Sequence, residues 1–189
     1  MSSTVVEIPG YVAGTWKIDP VHSDVAFTVR HMMVSKVRGH FTRIEGELRL
    51  DPEPLDSTVT AAIDLASIDT NNPQRDEDLR SANFLDIQSH PSMTYRSTGI
   101  RHSEDGFDID GELTLHGVTR QVPLALVVNG FIRDPFGGTR TGFSATAEIN
   151  RQDFGITTNM PMDGGGVLIG DHIQIFIEIE AVLEQPAGA

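Results

Sequence analysis

Three adjacent residues, His22, Ser23 and Asp24, carry the side-chain types of a nucleophilic relay. Such a relay needs the three groups to converge. Neighbours on an extended strand point to opposite sides, so His22 and Asp24 share one face and Ser23 takes the other. The trio therefore reads as non-catalytic, with His22 and Asp24 pinning the Asp19-Pro20 turn to a neighbouring strand. The segment GFSAT at 142–146 is the nearest approach to a nucleophile elbow, but it lacks the second glycine and lies in an alternating, strand-like stretch. In DGGGVLIGD, 163–171, neither a Lys-Ser/Thr pair nor a helix follows the glycines, so the run reads as a rim loop and not as a phosphate cradle. No two of the seven histidines have the i, i+4 spacing of a helical zinc site. No catalytic residue, metal or other cofactor is expected. Arg30, Arg38, Arg75 and Arg80 fall near two irregular segments, where their forks would pair with neighbouring acids or take an anionic head group.

Composition narrows the partners. With 14 Lys+Arg against 27 Asp+Glu the formal charge is -13, which repels a phosphate backbone or an anionic membrane surface, so nucleic acid is not expected. The absence of cysteine removes disulfides and thiolate metal sites. No apolar run approaches the ~20 residues of a transmembrane helix. The opening MSSTVVEIPGYVAG has no basic region followed by an apolar stretch of signal length, which makes a cytoplasmic protein the expectation. A chain of 189 residues suits one domain, 1–189, with an ordered core at about 14–183.

Period-two alternation is the dominant pattern that positions these residues. In FDIDGELTL, Phe107, Ile109, Gly111, Leu113 and Leu115 alternate with Asp108, Asp110, Glu112 and Thr114. The stretch DHIQIFIEIEAVL repeats it with Ile173, Ile175, Ile177 and Ile179. Further strands are expected near 23–31, 42–50, 58–65, 93–100, 121–128 and 142–149, about eight in all, separated by turn-rich segments. One short helix is expected at about 73–82: Asn72 is its N-cap, Pro73 suits the first position, and Asp76, Glu77 and Asp78 complement the dipole. The segment RHMMVSKVRGHF is compatible with a second helical turn or with a bulged continuation of a strand. Many strands and few helices mean a sandwich or a barrel. On the dry faces Gly46, Ala61, Ser97, Gly99, Gly111, Ala145 and Ala147 are too small to fill an eight-stranded barrel, which implies an apolar cavity. The competing reading, bulges and bends at the glycines, covers three of the seven.

The segments WKIDPVHSDVAFTVRHMMVSKVRGHF, RDEDLRSANFLD, GELTLHGVTRQV, INRQDFGI and GDHIQIFIEIEA occur in the order seen in the YceI-like family of lipid-binding proteins, which the chain resembles from Trp16 to about Ala181. The resemblance implies an all-β, lipocalin-like, antiparallel eight-stranded barrel whose hydrophobic tunnel binds a polyisoprenoid, such as a polyprenyl pyrophosphate or a quinone tail, without catalysis. A fatty acid or fatty amide is the alternative ligand, and a lipid-acting barrel enzyme a more distant one. Two departures stand out. The helix reads Arg75-Asp76-Glu77-Asp78-Leu79 where relatives often have His before the Leu, and many relatives carry a secretion signal.

In this frame His22 to His31 is the first long barrel strand, with Ser23, Val25, Phe27, Val29 and His31 facing the container. Face and apolarity assign Phe27, Val29, Phe84, Met93, Tyr95, Leu113, Phe143, Ala145 and Ile175 to the tunnel wall. His31, Arg38 and Arg75 are assigned to its polar mouth. The expected partner is the lipid itself, and an exposed strand edge or apolar mouth would allow a homodimer.

Overall fold

The computed structural model describes residues 7–160 and 162–185. Alternation becomes burial directly: along 92–97, Met93, Tyr95 and Ser97 are buried while Ser92, Thr94 and Arg96 are exposed. The strands are β1 (Gly14–Ile18), β2 (Asp24–His31), β3 (Ser35–Phe41), β4 (Ile44–Leu50), β5 (Thr58–Asp64), β6 (Ile68–Asp69), β7 (Ser92–Ser103), β8 (Gly106–Leu115), β9 (Val118–Gln121), β10 (Leu124–Arg133), β11 (Thr139–Asn150) and β12 (Ile169–Leu183). One helix, α1 (Pro73–Arg80), lies between β6 and β7. Its start is the expected one: the Asn72 side-chain oxygen accepts from the Arg75 N–H at 3.1 Å, with Pro73 in the first turn.

The chain forms an eight-staved antiparallel barrel. Strand β12 pairs with β2 from Ile169 opposite His31 to Glu178 opposite Asp24, and then with β1 from Ala181 to Leu183. Strands β1 and β2 are thus one stave broken at the Asp19-Pro20 turn. The same holds for β3 and β4, which pair with β2 and β1 respectively. With β5, β7, β8, β10, β11 and β12 these two bent staves close the ring, and β6 and β9 add short pairings at β3 and β8. Closure through β12 and β1 joins the two ends of the sheet, and one edge persists at 35–39 of β3, where β6 covers only His40 and Phe41.

The segment left open by the sequence is neither helical nor continuous. Strand β2 ends at His31, the Val34 N–H donates to the His31 carbonyl at 3.2 Å, and Met32 and Met33 turn the chain with φ of 51° and 61° before β3 begins. Two consecutive positive φ values are the signature of a type I′ hairpin, a turn that usually takes Asn or Gly. The short strand β1 is a second element the sequence reading did not place.

The end of the barrel formed by β1 and the neighbouring loops is solid. Trp16 is fully buried, donates from Nε1 to the Val12 carbonyl at 3.2 Å, and meets Phe131 edge-on at a ring separation of 5.6 Å. Around it, Arg140 binds Asp19 at 2.8 Å, Asp134 at 2.9 Å and Glu180 at 2.7 Å. Hydrogen bonds from His22 and Arg140 hold the Asp19 carboxyl far below the usual carboxylate range, and the bond to Asp19 raises the His22 imidazole.

Candidate functional site

Inside the barrel lies a cavity of about 540 Å³, within the ~300–1,000 Å³ typical of small-molecule pockets. Its wall is built by the inward residues of every stave. Phe27, Val29, Met93, Tyr95, Leu113, Phe143, Ala145 and Ile175 all line it, as expected from their strand faces. Phe84 lines it from the segment after α1, and His31 and Arg75 line it as well. Arg38 does not. Val37 and Gly39 occupy the inward positions of β3, so strand alternation turns Arg38 to the exposed outer face.

Ser23 is also absent from the wall. Its hydroxyl accepts from the Glu180 N–H at 3.1 Å and donates to the Glu180 carbonyl at 3.2 Å, so together with the Asp19 N–H, which donates to that carbonyl at 2.8 Å, it fastens β12 at the break between β1 and β2. His22 bonds Asp19 within the turn at 2.9 Å, and Asp24 meets His40 of β3 at 3.1 Å. The three side chains of the supposed relay have three separate structural partners.

The small dry-face residues divide by role. Ala61 and Ala145 line the cavity, whereas Ala147 packs against the core. A side chain at Gly46 would collide with the Thr60 carbonyl and with Ile18, so that glycine permits strands to approach. Gly111 makes room for the Tyr95 phenol, whose hydroxyl donates to the Val122 carbonyl at 3.0 Å. Burial, with a smaller contribution from Asp110, drives that phenol above its usual range, so Tyr95 offers the cavity a neutral ring. Ser97 and Gly99 flank a register shift against β8, and the Ser97 hydroxyl accepts from the Val59 N–H at 2.9 Å. The cavity therefore comes from the alanines and from barrel size, and the glycines serve closure.

Polar groups gather near α1 and the end of β2. Arg75 donates to the Thr70 hydroxyl and to the Thr70 carbonyl, both at 2.8 Å, and Thr70 is held in turn by buried Asp76, whose carboxylate accepts the Thr70 N–H at 2.9 Å. This clamp fixes one edge of the guanidinium. Asp78, one turn further along α1, reaches the same cavity. Sequence reasoning missed Arg151, only 2% exposed, which donates to the carbonyls of Ile156 at 2.8 Å, Thr158 at 3.0 Å and Gly170 at 3.0 Å and pairs with Asp171 at 3.1 Å. It ties the 156–170 loop to the barrel. The segment INRQDFGI contains it, but nothing in that string marks its arginine as buried.

Away from the cavity, Asp86, His90 and His116 each bring a potential ligand atom within 4.8 Å of the others, a grouping no sequence spacing linked. The two imidazoles meet edge-on at 5.2 Å, and His116 Nδ1 lies 3.0 Å from the Phe154 carbonyl. Among the described residues no helix is long and apolar enough to cross a membrane.

The fold agrees with known proteins. The chain is 36% identical to Protein YceI of Salmonella newport over 177 residues, 92% of this chain and 90% of that protein. It superposes on BcnA of Burkholderia cenocepacia with a TM-score of 0.71 at 22% identity, covering 86% of this chain and 98% of the other. A polyisoprenoid binding domain from Saccharophagus degradans, implicated in plant cell wall breakdown, matches with a TM-score of 0.67 at 14% identity over 89% of this chain and 98% of that domain. The profile of the YceI-like domain matches residues 16–181, and on that match and the Salmonella identity the chain belongs to the YceI-like family.

Proposed function

We propose that the barrel carries a polyisoprenoid chain, with its polar head beside the end of β2 and α1, from which His31, Arg75 and Asp78 line the cavity. Members of the family are lipid-binding and transport proteins rather than catalysts. The barrel itself is hydrophobic and has the capacity for a lipid or other amphiphile. The observation that carries the finer reading is the distribution of side chains: aliphatic and aromatic groups from every stave surround the bore, while ionisable groups free to meet a head group cluster at one end. The S. degradans domain of the same fold supports it by shape only, given the low identity.

Energetics favour a long apolar chain over a compact occupant. Each five-carbon unit buried is worth roughly 4 kcal/mol gross at about 0.8 kcal/mol per carbon, before the costs of ordering are subtracted. The Arg75 fork is pre-organised for an anionic or carbonyl oxygen, and Asp78 beside it disfavours a doubly charged head. A fatty acid or fatty amide satisfies the same bore and remains the second reading. Organic extraction of the purified protein followed by mass spectrometry, with the native mass of the intact complex, separates them. A stoichiometric prenyl species is expected; a fatty acyl species would replace the isoprenoid reading, and an empty barrel that takes up no added prenyl lipid would end it.

A further inference from the structure

The turn between β2 and β3 exposes Met32, Met33 and Val34 at 44%, 55% and 84%. Left-handed backbone at both methionines makes Asn or Gly the natural occupants, so large apolar side chains here carry a conformational cost while staying about half exposed. The tip belongs to the rim of the cavity. The Met32 N–H donates to the Leu168 carbonyl at 2.8 Å, and Leu168, Ile169 and His31 line the bore. A side chain on Gly166 would sit 3.5 Å from Met33 and 3.6 Å from Met162, which places a second methionine-bearing loop against the tip.

Behind the tip the charge changes sign. Arg30 and Lys36 face each other across the hairpin and Arg38 follows on the same face; all three are exposed, and Arg30 also borders the cavity. None of them forms an ion pair among the described residues, a state shared by the scattered exposed Arg120 and Arg133, whereas Arg43 pairs with Asp64 at 3.0 Å, Arg96 with Glu112 at 2.7 Å and Arg101 with Asp110 at 3.3 Å; only at the hairpin do three such cations stand together. In a chain of net charge -13 an unpaired cationic collar around an apolar tip is a local inversion.

We propose that this hairpin seats the mouth of the barrel on an anionic lipid bilayer, Met32, Met33 and Val34 entering the headgroup layer and Arg30, Lys36 and Arg38 meeting lipid phosphates. The inference rests on the reading of the barrel as an amphiphile carrier and supplies the route by which a water-insoluble ligand is taken up and released. An apolar insertion and a cluster of cations together are what reversible interfacial binding requires. Repulsion of the remaining acidic surface then becomes useful, because it turns the molecule so that only the mouth faces the membrane.

The test is co-sedimentation of the intact protein with vesicles of phosphatidylcholine alone or mixed with phosphatidylglycerol, beside uptake of farnesol from solution. The tip variant M32N/M33G/V34S removes the apolar groups while giving the turn residues that suit its φ values, so the barrel stays folded. Wild type is expected to bind the anionic vesicles, to lose that binding in high salt and to ignore the neutral ones. The tip variant should bind at least tenfold more weakly, and K36S/R38S roughly twenty-five-fold at about fivefold per cation, both with farnesol uptake unchanged. Absence of wild-type binding to anionic vesicles, or equal binding by the tip variant, overturns the docking. So does a tip variant that alters only the association state in solution, which would make the patch a contact between copies. Failure of wild type to take up farnesol while docking still depends on the tip would instead remove the carrier reading and leave the docking standing.

Discussion

At one end of the barrel Trp16 is fully buried beside Phe131, and Arg140 gathers three carboxylates around the turn that follows β1. At the other end Met32, Met33 and Val34 project from a left-handed turn, and the ends of a Gly-rich loop are tied by Arg151, by Asn159, whose amide bonds both ways with Ile169, and by a few backbone bonds. The same twelve strands thus terminate in a cap that invests in packing and in a rim that forgoes it. Rigid closure at one end defines a blind bore. A loosely packed rim at the other lets a ligand pass, since segments with few buried contacts open at low free-energy cost.

Four substitutions or titrations sharpen that contrast, beginning with the largest effect. Trp16→Ala should cost about 3–5 kcal/mol, the usual range for emptying a fully buried aromatic site, and chemical denaturation would register it as a lower midpoint. An unchanged midpoint would mean the cap is not where stability resides. Ala145→Phe fills the bore from β11, between Leu126 and Ile177 on the adjacent strands. It should lower affinity for a prenyl ligand at least tenfold, or about 1.4 kcal/mol, with the circular dichroism of a folded barrel retained; full binding would show that the ligand avoids this level of the cavity.

Asn72→Ala removes the N-cap of α1, the helix that carries Arg75 and Asp78 to the rim, and should cost about 1 kcal/mol. Hydrogen exchange should speed up in α1 and leave β1 and β12 alone. The smallest effect is a pH dependence at the cap. Asp19 has its folded pKa lowered, so its contribution is present above about 3.9 and fades as pH falls through the folded value. His22 has its folded pKa raised, so its contribution is complete below about 6.5 and fades as pH rises through the folded value. The difference in Tm between wild type and His22→Gln should therefore be greatest between about pH 4 and 6.5 and vanish in alkali. A difference that grows above pH 8 would contradict the assignment.

Much of the barrel was legible because its signal is local. In β8 and β12 the alternation runs for many residues without interruption, and at α1 the cap and the proline are adjacent in sequence. Alternation also put the nine strand residues expected at the tunnel or its mouth, Phe27, Val29, His31, Met93, Tyr95, Leu113, Phe143, Ala145 and Ile175, on the cavity wall, whereas Phe84 and Arg75 reach it from outside any strand. What escaped depended on neighbours far along the chain. Strand β1 is five residues long, and its role is set by pairing with β12. Arg38 was placed at the mouth because β3 had not been recognised, and without a strand its direction is undefined. The turn at Met32 and Met33 gives no sequence signal, because methionine is not a residue that favours left-handed backbone. Gly46 and Gly111 read as space, although each is filled by an atom of another strand.

The pairing of β12 with the stave made of β1 and β2, Trp16 opposite Leu183 and Val25 opposite Ile177, has a temporal consequence. Each of the other stave contacts joins neighbours in the ring order that follow one another along the chain, so the sheet can grow as a meander during synthesis. The ring cannot close until the last strand has left the ribosome. Such a distant contact is slow to form, and the incomplete sheet exposes its apolar face meanwhile. A ligand present at that moment need not enter through the rim at all: it can nucleate closure by covering that face, and the finished barrel would then retain as cargo the molecule on which it folded.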